Sequence, residues 1–327
     1  MSVMGRLTRR SVTGAFVGLA GWLTAACGAG TGTTDSTAQS AQSQSSNSTT
    51  ATNVNAFINP NLVVSTDWLK QNLRASNVRV VDARSAADFE KGHIPGAVSL
   101  AVGDTFDPGK DKNYPDTKDK LETLFGNKGI GDGLRIVTYD AGNGNDTTGS
   151  RLFWTLEYAG HSNVAVLDGG LKAWQAAAGE VSTEATTVPA AKFTSKIDPA
   201  KLPSKEQCEL AIGDPKKVVL DARSPEEFRG EDVRAKFGGH IPGAVNIDYR
   251  TNFTGAGILK APAELRSLYE SKGVTKEKEV LAHCQTGQRS SVTYLALRLL
   301  GYQKGGNYVG SWVEWGNDAE TKKVQGG

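Results

Sequence analysis

Short runs of β-branched and aliphatic residues alternate along this chain with longer segments whose apolar positions recur at helical spacing. Leu134–Tyr139, Val166–Leu167 and Glu279–His283 read as strands; Ser204–Ile212, Ala261–Lys272 and Ser290–Leu300 read as helices. That alternation predicts an α/β protein in which parallel sheets are covered by helices. Two earlier stretches break the pattern. Ser11–Ala26 is 16 residues without a charge, directly after Arg6, Arg9 and Arg10. It is shorter than the ~20 apolar residues a spanning helix needs and has the form of a signal-peptide core. Residues 28–56 hold 13 Ser/Thr and one charge, Asp35. So little apolar surface does not offset the entropy of ordering, which predicts a flexible tether and a fold that begins near Phe57.

The pattern repeats. Val80-Val81-Asp82-Ala83-Arg84-Ser85 returns as Val219-Leu220-Asp221-Ala222-Arg223-Ser224. Gly92-His93-Ile94-Pro95-Gly96-Ala97-Val98 returns as Gly239-His240-Ile241-Pro242-Gly243-Ala244-Val245. An offset of about 140 residues far exceeds a solenoid period, so this is a duplicated domain. The 327 residues suffice for two cores. A formal charge of +2 leaves no basic excess for nucleic-acid binding, and loss of the first 26 residues, with their three arginines, would bring it to −1. The only cysteines, Cys27, Cys208 and Cys284, exclude a disulfide-dense scaffold or a cysteine-rich zinc module.

The sharpest local feature is His283-Cys284-Gln285-Thr286-Gly287-Gln288-Arg289-Ser290-Ser291, between a short apolar strand and an unbroken helical run. A cysteine there lies at the carboxyl end of a parallel strand, where α/β sheets bind ligands. The following helix aims its N-terminal N–H groups at the sulfur, and with Arg289 these favour the nucleophilic thiolate. The other reading is a buried structural cysteine. In the first half Asp140 stands where Cys284 stands, followed by a Gly/Asn loop. A carboxylate is no thiolate nucleophile, so that half reads as structural; Asp140 with Asp146 as a metal pair is set against a simple Gly/Asn/Asp turn. His93 and His240 make no metal site, and no metal or other cofactor is expected.

The duplicated segments resemble a tandem rhodanese-type sulfurtransferase over roughly Asn59–Asn317. The motifs carrying the likeness are Phe89-x3-His93-Ile94-Pro95-Gly96-Ala97 and Gly310-Ser311-Trp312-Val313-Glu314-Trp315. Val309 departs from the family's usual acidic or small residue, and 11 residues rather than 3 lie between Phe228 and His240. The resemblance implies two rhodanese-like α/β domains, each a parallel sheet flanked by helices: 57–180, non-catalytic, and 204–327, catalytic, joined by a linker at 181–203. It also implies a Cys284 persulfide that takes sulfane sulfur from thiosulfate and passes it to a thiophilic acceptor, cyanide in vitro. Gln285, Thr286, Gly287 and Gln288 would cradle the persulfide beside Arg289. The loop Cys284–Arg289 is one residue shorter than the loop with which cysteine phosphatases wrap a tetrahedral phosphate, and suits a single sulfur atom.

Arg223 occupies a position that lies near bound substrate in the family; an ion pair within its own turn is the competing role. Thr286 stands where well-known thiosulfate enzymes place a lysine, and Glu227 where mercaptopyruvate enzymes place an arginine. An acid there would repel a carboxylate substrate, which favours thiosulfate over 3-mercaptopyruvate. A persulfide carrier without much turnover is the alternative from another class. Cys208 reads as a packed thiol or, alternatively, a resolving cysteine, and Trp312 and Trp315 as packing residues. Thr8-Arg9-Arg10-Ser11-Val12 resembles a twin-arginine export signal, and Leu23–Cys27 a lipoprotein cleavage box with Leu23 one place too far from the cysteine. The resulting expectation has 1–26 as signal peptide and 27–56 as a tether lipidated at Cys27. It gives a monomer exported to the outer face of the bacterial cell membrane or the periplasm, touching membrane only through its lipid. A Sec signal with non-lipid cleavage and a retained anchor helix are the competing readings.

Overall fold

A computed structural model describes residues 56–110 and 113–326. The expected signal segment, Cys27 and the tether up to residue 55 lie outside the described residues. In the first half, chain order gives β1 (Val63–Val64), α1 (Thr66–Asn72), β2 (Val78–Asp82), α2 (Ala86–Lys91), β3 (Val98–Ser99), α3 (Lys118–Asn127), β4 (Arg135–Tyr139), α4 (Thr148–Tyr158), β5 (Val164–Leu167) and α5 (Gly170–Ala176). The second half runs α6 (Lys205–Ala211), β6 (Lys217–Asp221), α7 (Pro225–Arg229), β7 (Val245–Asn246), α8 (Pro262–Glu270), β8 (Glu279–His283), α9 (Ser290–Leu299), β9 (Gly305–Asn307) and α10 (Ser311–Trp315). Among the described residues these strands pair in parallel throughout, in the orders β1-β5-β4-β2-β3 and β7-β6-β8-β9. Strand, helix and sheet therefore follow the α/β expectation, and β2, β4 and β5 correspond to β6, β8 and β9. The halves differ at one edge. No strand matches β1 in the second sheet; a 3-10 turn at Pro199–Lys201 packs beside β9 instead.

The repeated Asp-Ala-Arg-Ser segment has a local explanation. Asp82 and Asp221, at the ends of β2 and β6, each accept the backbone N–H and the guanidinium of the arginine two residues on. Ser85 and Ser224 then cap α2 and α7, accepting from Asp88 N–H and Glu227 N–H. The second repeated segment closes the same unit. His93 stacks on Phe89 at 3.6 Å and places Nδ1 2.9 Å from its carbonyl, and His240 does the same with Phe228 at 3.7 and 2.9 Å. The 11-residue spacing thus preserves the contact that the 3-residue spacing makes, and both histidines serve packing.

The linker is irregular but docked: Phe193 is buried in the first core, and backbone bonds tie Ala191 to Gly126 and Lys196 to Ala159. The two halves meet through α4 and α9. Tyr294 and Arg298 on α9 donate to Glu157 on α4 at 2.7 and 3.0 Å. Tyr294, Leu295 and Leu299 join a core cluster otherwise drawn mainly from the first half. Glu157 is buried, so its loss leaves two donors facing a low-dielectric boundary. Glu157→Ala is expected to destabilise the protein by about 2 kcal/mol, discounted because Arg298 can turn toward water, and to lower the thermal midpoint by several degrees. Calorimetry checks it.

Candidate active site

Cys284 follows β8 and is completely buried. Its surroundings are built by turning every nearby carbonyl away from it. The N–H groups of Trp312 and Val313, opening α10, donate to the carbonyls of Cys284 and Gln285, both at 3.0 Å. Asn113 Nδ2 reaches the Thr286 carbonyl at 3.4 Å. Asn307 Nδ2 and Arg151 both donate to the Gly287 carbonyl, at 2.8 and 2.9 Å, and Ser291 N–H donates to that of Gln288 at 3.1 Å. Because a peptide unit is planar, a carbonyl held outward sets the following N–H inward. The loop from 284 to 289 therefore presents amides to its interior. This is an anion nest, and the helix dipole of α9 adds to it.

The electrostatics match. Burial opposes ionisation of Cys284, but Arg289, the Ser290 hydroxyl and the N–H groups of Ser290 and Thr286 together bring its pKa below the ordinary thiol value. Cys284 N–H donates to Ser311 Oγ at 3.2 Å, and Ser311 adopts φ +51°, a left-handed conformation rare for a side-chain-bearing residue. The Gly-Ser-Trp motif is thus the bracket that closes the cradle. The cradle opens on a cleft of about 660 Å³ whose lining includes Gln285, Thr286, Arg289, Arg234, Tyr249 and Arg250.

Two expectations need correction. Arg223 does not face the cleft. It is 1% exposed, forks onto Asp221 at 2.6 Å, donates to the Gly239 carbonyl at 2.8 Å and lies 4.3 Å over the Trp312 ring. A guanidinium so enclosed is a strut of the turn, the same role its duplicate Arg84 plays on Asp82. Glu227 is not a free acid at the cleft. It is 1% exposed and takes a bidentate bond from Arg289 at 2.6 and 2.8 Å. Glu227 thereby fixes the cation beside the sulfur, and its own pKa falls because this pairing and the other hydrogen bonds outweigh burial. Arg234 and Arg250, each about half exposed and paired to Asp232 and Asp248, are the cations that line the cleft mouth. The 62-residue separation of Arg289 and Glu227 hid that pair from sequence reasoning, as still longer separations hid the contacts of Arg151 and Asn113 with the loop.

The remaining candidates fall into place. Gln285 Nε2 ties the loop to the Arg234 carbonyl at 2.8 Å. Cys208 is buried with Tyr308, Trp312 and Trp315, and burial, followed by nearby glutamates, pushes its thiol upward. In the first half, Asp140 accepts from Gly142 N–H at 2.9 Å while Asp146 accepts from Ala141 N–H at 3.0 Å. Among the described residues no three His, Cys, Asp or Glu side chains cluster as metal ligands.

A rhodanese-like domain matches this chain twice, at residues 65–177 and 204–318. The chain belongs to the rhodanese family. It is 34% identical over 270 residues to the thiosulfate sulfurtransferase of Azotobacter vinelandii, covering 81% of this chain and 97% of that one. It is 32% identical over 276 residues to the sulfur carrier protein TtuD of Thermus thermophilus, covering 80% and 95%. The crystal structure of the 3-mercaptopyruvate enzyme SseA from Escherichia coli superposes with a TM-score of 0.69 at 26% identity, covering 77% of this chain and 98% of that one. Within this rhodanese, the second domain carries the Cys284 cradle and the first carries the Asp140 turn.

Two outcomes follow. Arg289→Gln removes the cation beside the sulfur and leaves the buried Glu227 only its longer ion pair with Arg234 at 3.8 Å, so the pH at which Cys284 ionises is expected to rise by more than about one unit. Ultraviolet absorbance of the thiolate, read against Cys284→Ser, measures it. Asp140 is pushed up to about 7, chiefly by burial and then by Asp146, against an ordinary value of 3.8. A carboxyl raised in the folded state stabilises most below its unfolded pKa and loses that contribution as pH rises through the folded one. Wild-type stability should therefore fall relative to Asp140→Asn between about pH 4 and about pH 7 and level off above that. An unchanged difference across that range would show an ordinary carboxyl.

Proposed function

We propose that this protein is a thiosulfate sulfurtransferase working through a persulfide on Cys284. That it is an enzyme of the sulfurtransferase kind follows from its two rhodanese domains and from relatives spanning four-fifths of the chain. The observation that carries the finer reading is the Cys284 loop, whose carbonyls are held outward while its amides face a buried sulfur of lowered pKa.

In the first step the Cys284 thiolate attacks the outer sulfur of thiosulfate. An S–S bond forms to the cysteine, the sulfur–sulfur bond of the donor breaks, and sulfite leaves with the electron pair. In the second step a thiophilic acceptor such as cyanide attacks the outer sulfur of the persulfide; a carbon–sulfur bond forms to give thiocyanate, the persulfide S–S bond breaks, and the Cys284 thiolate departs with its electron pair. Inward amides stabilise the negative outer sulfur between the steps, as an oxyanion hole does for oxygen. Arg234 and Arg250 would receive the dianionic donor at the cleft mouth. Since Glu227 is engaged by Arg289, the reading of Glu227 as a repelling acid gives no ground against 3-mercaptopyruvate. Thiosulfate is favoured instead by the named relatives at 34% identity.

The test is to incubate the purified protein with thiosulfate and then cyanide, and to follow thiocyanate and intact mass beside Cys284→Ser. Thiocyanate from the wild type alone, with one extra sulfur on Cys284, is the expected result. A kcat/KM for 3-mercaptopyruvate above that for thiosulfate would reassign the donor. Sulfur loading without turnover would make the protein a carrier. We place the activity outside the cytoplasm, on a chain exported by its Arg9-Arg10 signal and anchored through Cys27. Cys27→Ser is expected to move the protein from the membrane fraction to the soluble one, and unchanged fractionation would refute the anchor.

A further inference from the structure

Arg151 is a large cation in a place that ought to exclude one. It lies in the first turn of α4, in the domain without a nucleophile, and is 0% exposed. The guanidinium is sandwiched 5.3 Å from the centre of the Phe106 ring and 4.5 Å from that of Trp154. No carboxylate among the described residues pairs with it, and its Nε has no acceptor there. Its two other nitrogens are spent on backbone carbonyls: Nη1 donates to Gly287 at 2.9 Å, and Nη2 to Asn113 at 2.5 Å. Asn113 in turn reaches the Thr286 carbonyl at 3.4 Å.

The loop is pressed against this cation. Gly287 has φ +75°, and a Cβ there would stand 3.0 Å from Arg151 Nη1 and 2.8 Å from Val309 Cα. Only glycine combines that backbone with that approach. The nearest carbonyls of the cradle that its own domain leaves lightly held are the ones the first domain grips. Thr286 is reached by Asn113 alone among the described residues, and Gly287 shares its carbonyl between Asn307 and Arg151. By peptide planarity these two carbonyls set the Gly287 and Gln288 N–H groups.

We propose that Arg151, with Asn113, is a positioning residue for sulfur transfer, clamping the Thr286 and Gly287 carbonyls from the other domain and so aiming the Gly287 and Gln288 amides at the outer sulfur of the persulfide. The proposal rests on the persulfide reading above. It gives the nucleophile-free domain a direct part in the chemistry. Burial lowers Arg151 to about 9, and the Cys284 charge acts in the opposite direction, so thiolate and buried guanidinium support one another. The other ionisable groups coupled to the sulfur are Arg289, with Glu227 behind it, and Tyr249; His283, beside Asp221, contacts only the Cys284 carbonyl.

Arg151→Gln, Arg151→Lys and Asn113→Ala test it in the full-length protein, with Tyr294→Phe as a domain-contact variant remote from the cradle. Thiolate absorbance against pH needs no sulfur donor, so it separates failure of this proposal from failure of the persulfide reading. Arg151→Gln is expected to raise the Cys284 ionisation pH by about one unit. It should lower kcat about tenfold with KM for thiosulfate within about twofold. Arg151→Lys should recover part of both effects, and Asn113→Ala should move kcat the same way by less. Tyr294→Phe should lower the melting temperature and leave the ionisation pH in place. Wild-type ionisation and kcat in folded Arg151→Gln, or equal shifts in Tyr294→Phe, would reduce Arg151 to an interface strut. If Arg151→Gln does not fold, Arg151→Lys and Asn113→Ala decide: wild-type kcat in both overturns the proposal.

Discussion

The site depends on keeping a negative sulfur out of water. Cys284 has no exposure, and burial by itself drives a thiol toward its neutral form. The ionised form survives only if fixed dipoles and cations replace the lost hydration, and they must be in place before the charge is. That requirement accounts for the outward carbonyls of residues 284–288, for the placing of α9 with its N-terminus at the loop, and for the bracket at Ser311. It also accounts for Glu227. A flexible arginine loses much of its pull to rotamer freedom, whereas a bidentate buried carboxylate holds the fork of Arg289 in one geometry.

What could be read from the chain follows contact distance along it. The duplication, the α/β class and the Cys284–Arg289 loop all rest on patterns within a few residues, and the helix caps at Ser85, Ser204 and Ser224 obey local rules. Helix α8 begins and ends inside the expected Ala261–Lys272, because Pro262 opens it and the apolar periodicity does not resolve its fraying end. The parts that stayed hidden join distant positions. Arg289 and Glu227 are 62 residues apart, Arg151 and Gly287 136, and Asn113 and Thr286 173. No periodicity carries such information.

Arg223 is the instructive case, since the chain itself held the contrary sign. An Asp-Ala-Arg-Ser segment present in both halves, one of which has no cysteine, points to a shared structural task rather than to substrate. The geometry of the two copies agrees in detail: Arg84 donates to Asp82 and to the Gly92 carbonyl, Arg223 to Asp221 and to the Gly239 carbonyl. A motif repeated across active and inactive copies reports on the fold; only what differs between them can report on the chemistry.

Differences between the copies, taken that way, give the half without a cysteine a task of its own. Where the second domain has Cys284, the first has Asp140 in a tight Gly/Asn turn, and the helices that follow, α4 and α9, pack against each other at the domain boundary. Each helix begins beside its own loop, so this packing brings the first turn of α4 up to the Cys284 cradle. Arg151 needs no movement to reach Gly287 once α4 and α9 are in contact. A lone second domain would leave the Thr286 carbonyl facing water and the Gly287 carbonyl held by Asn307 alone, so the amides behind them would be turned inward less decisively. Pairing a domain with its own duplicate supplies a surface already shaped to its helix, and the half that holds Asp140 lends that surface to the half that holds Cys284.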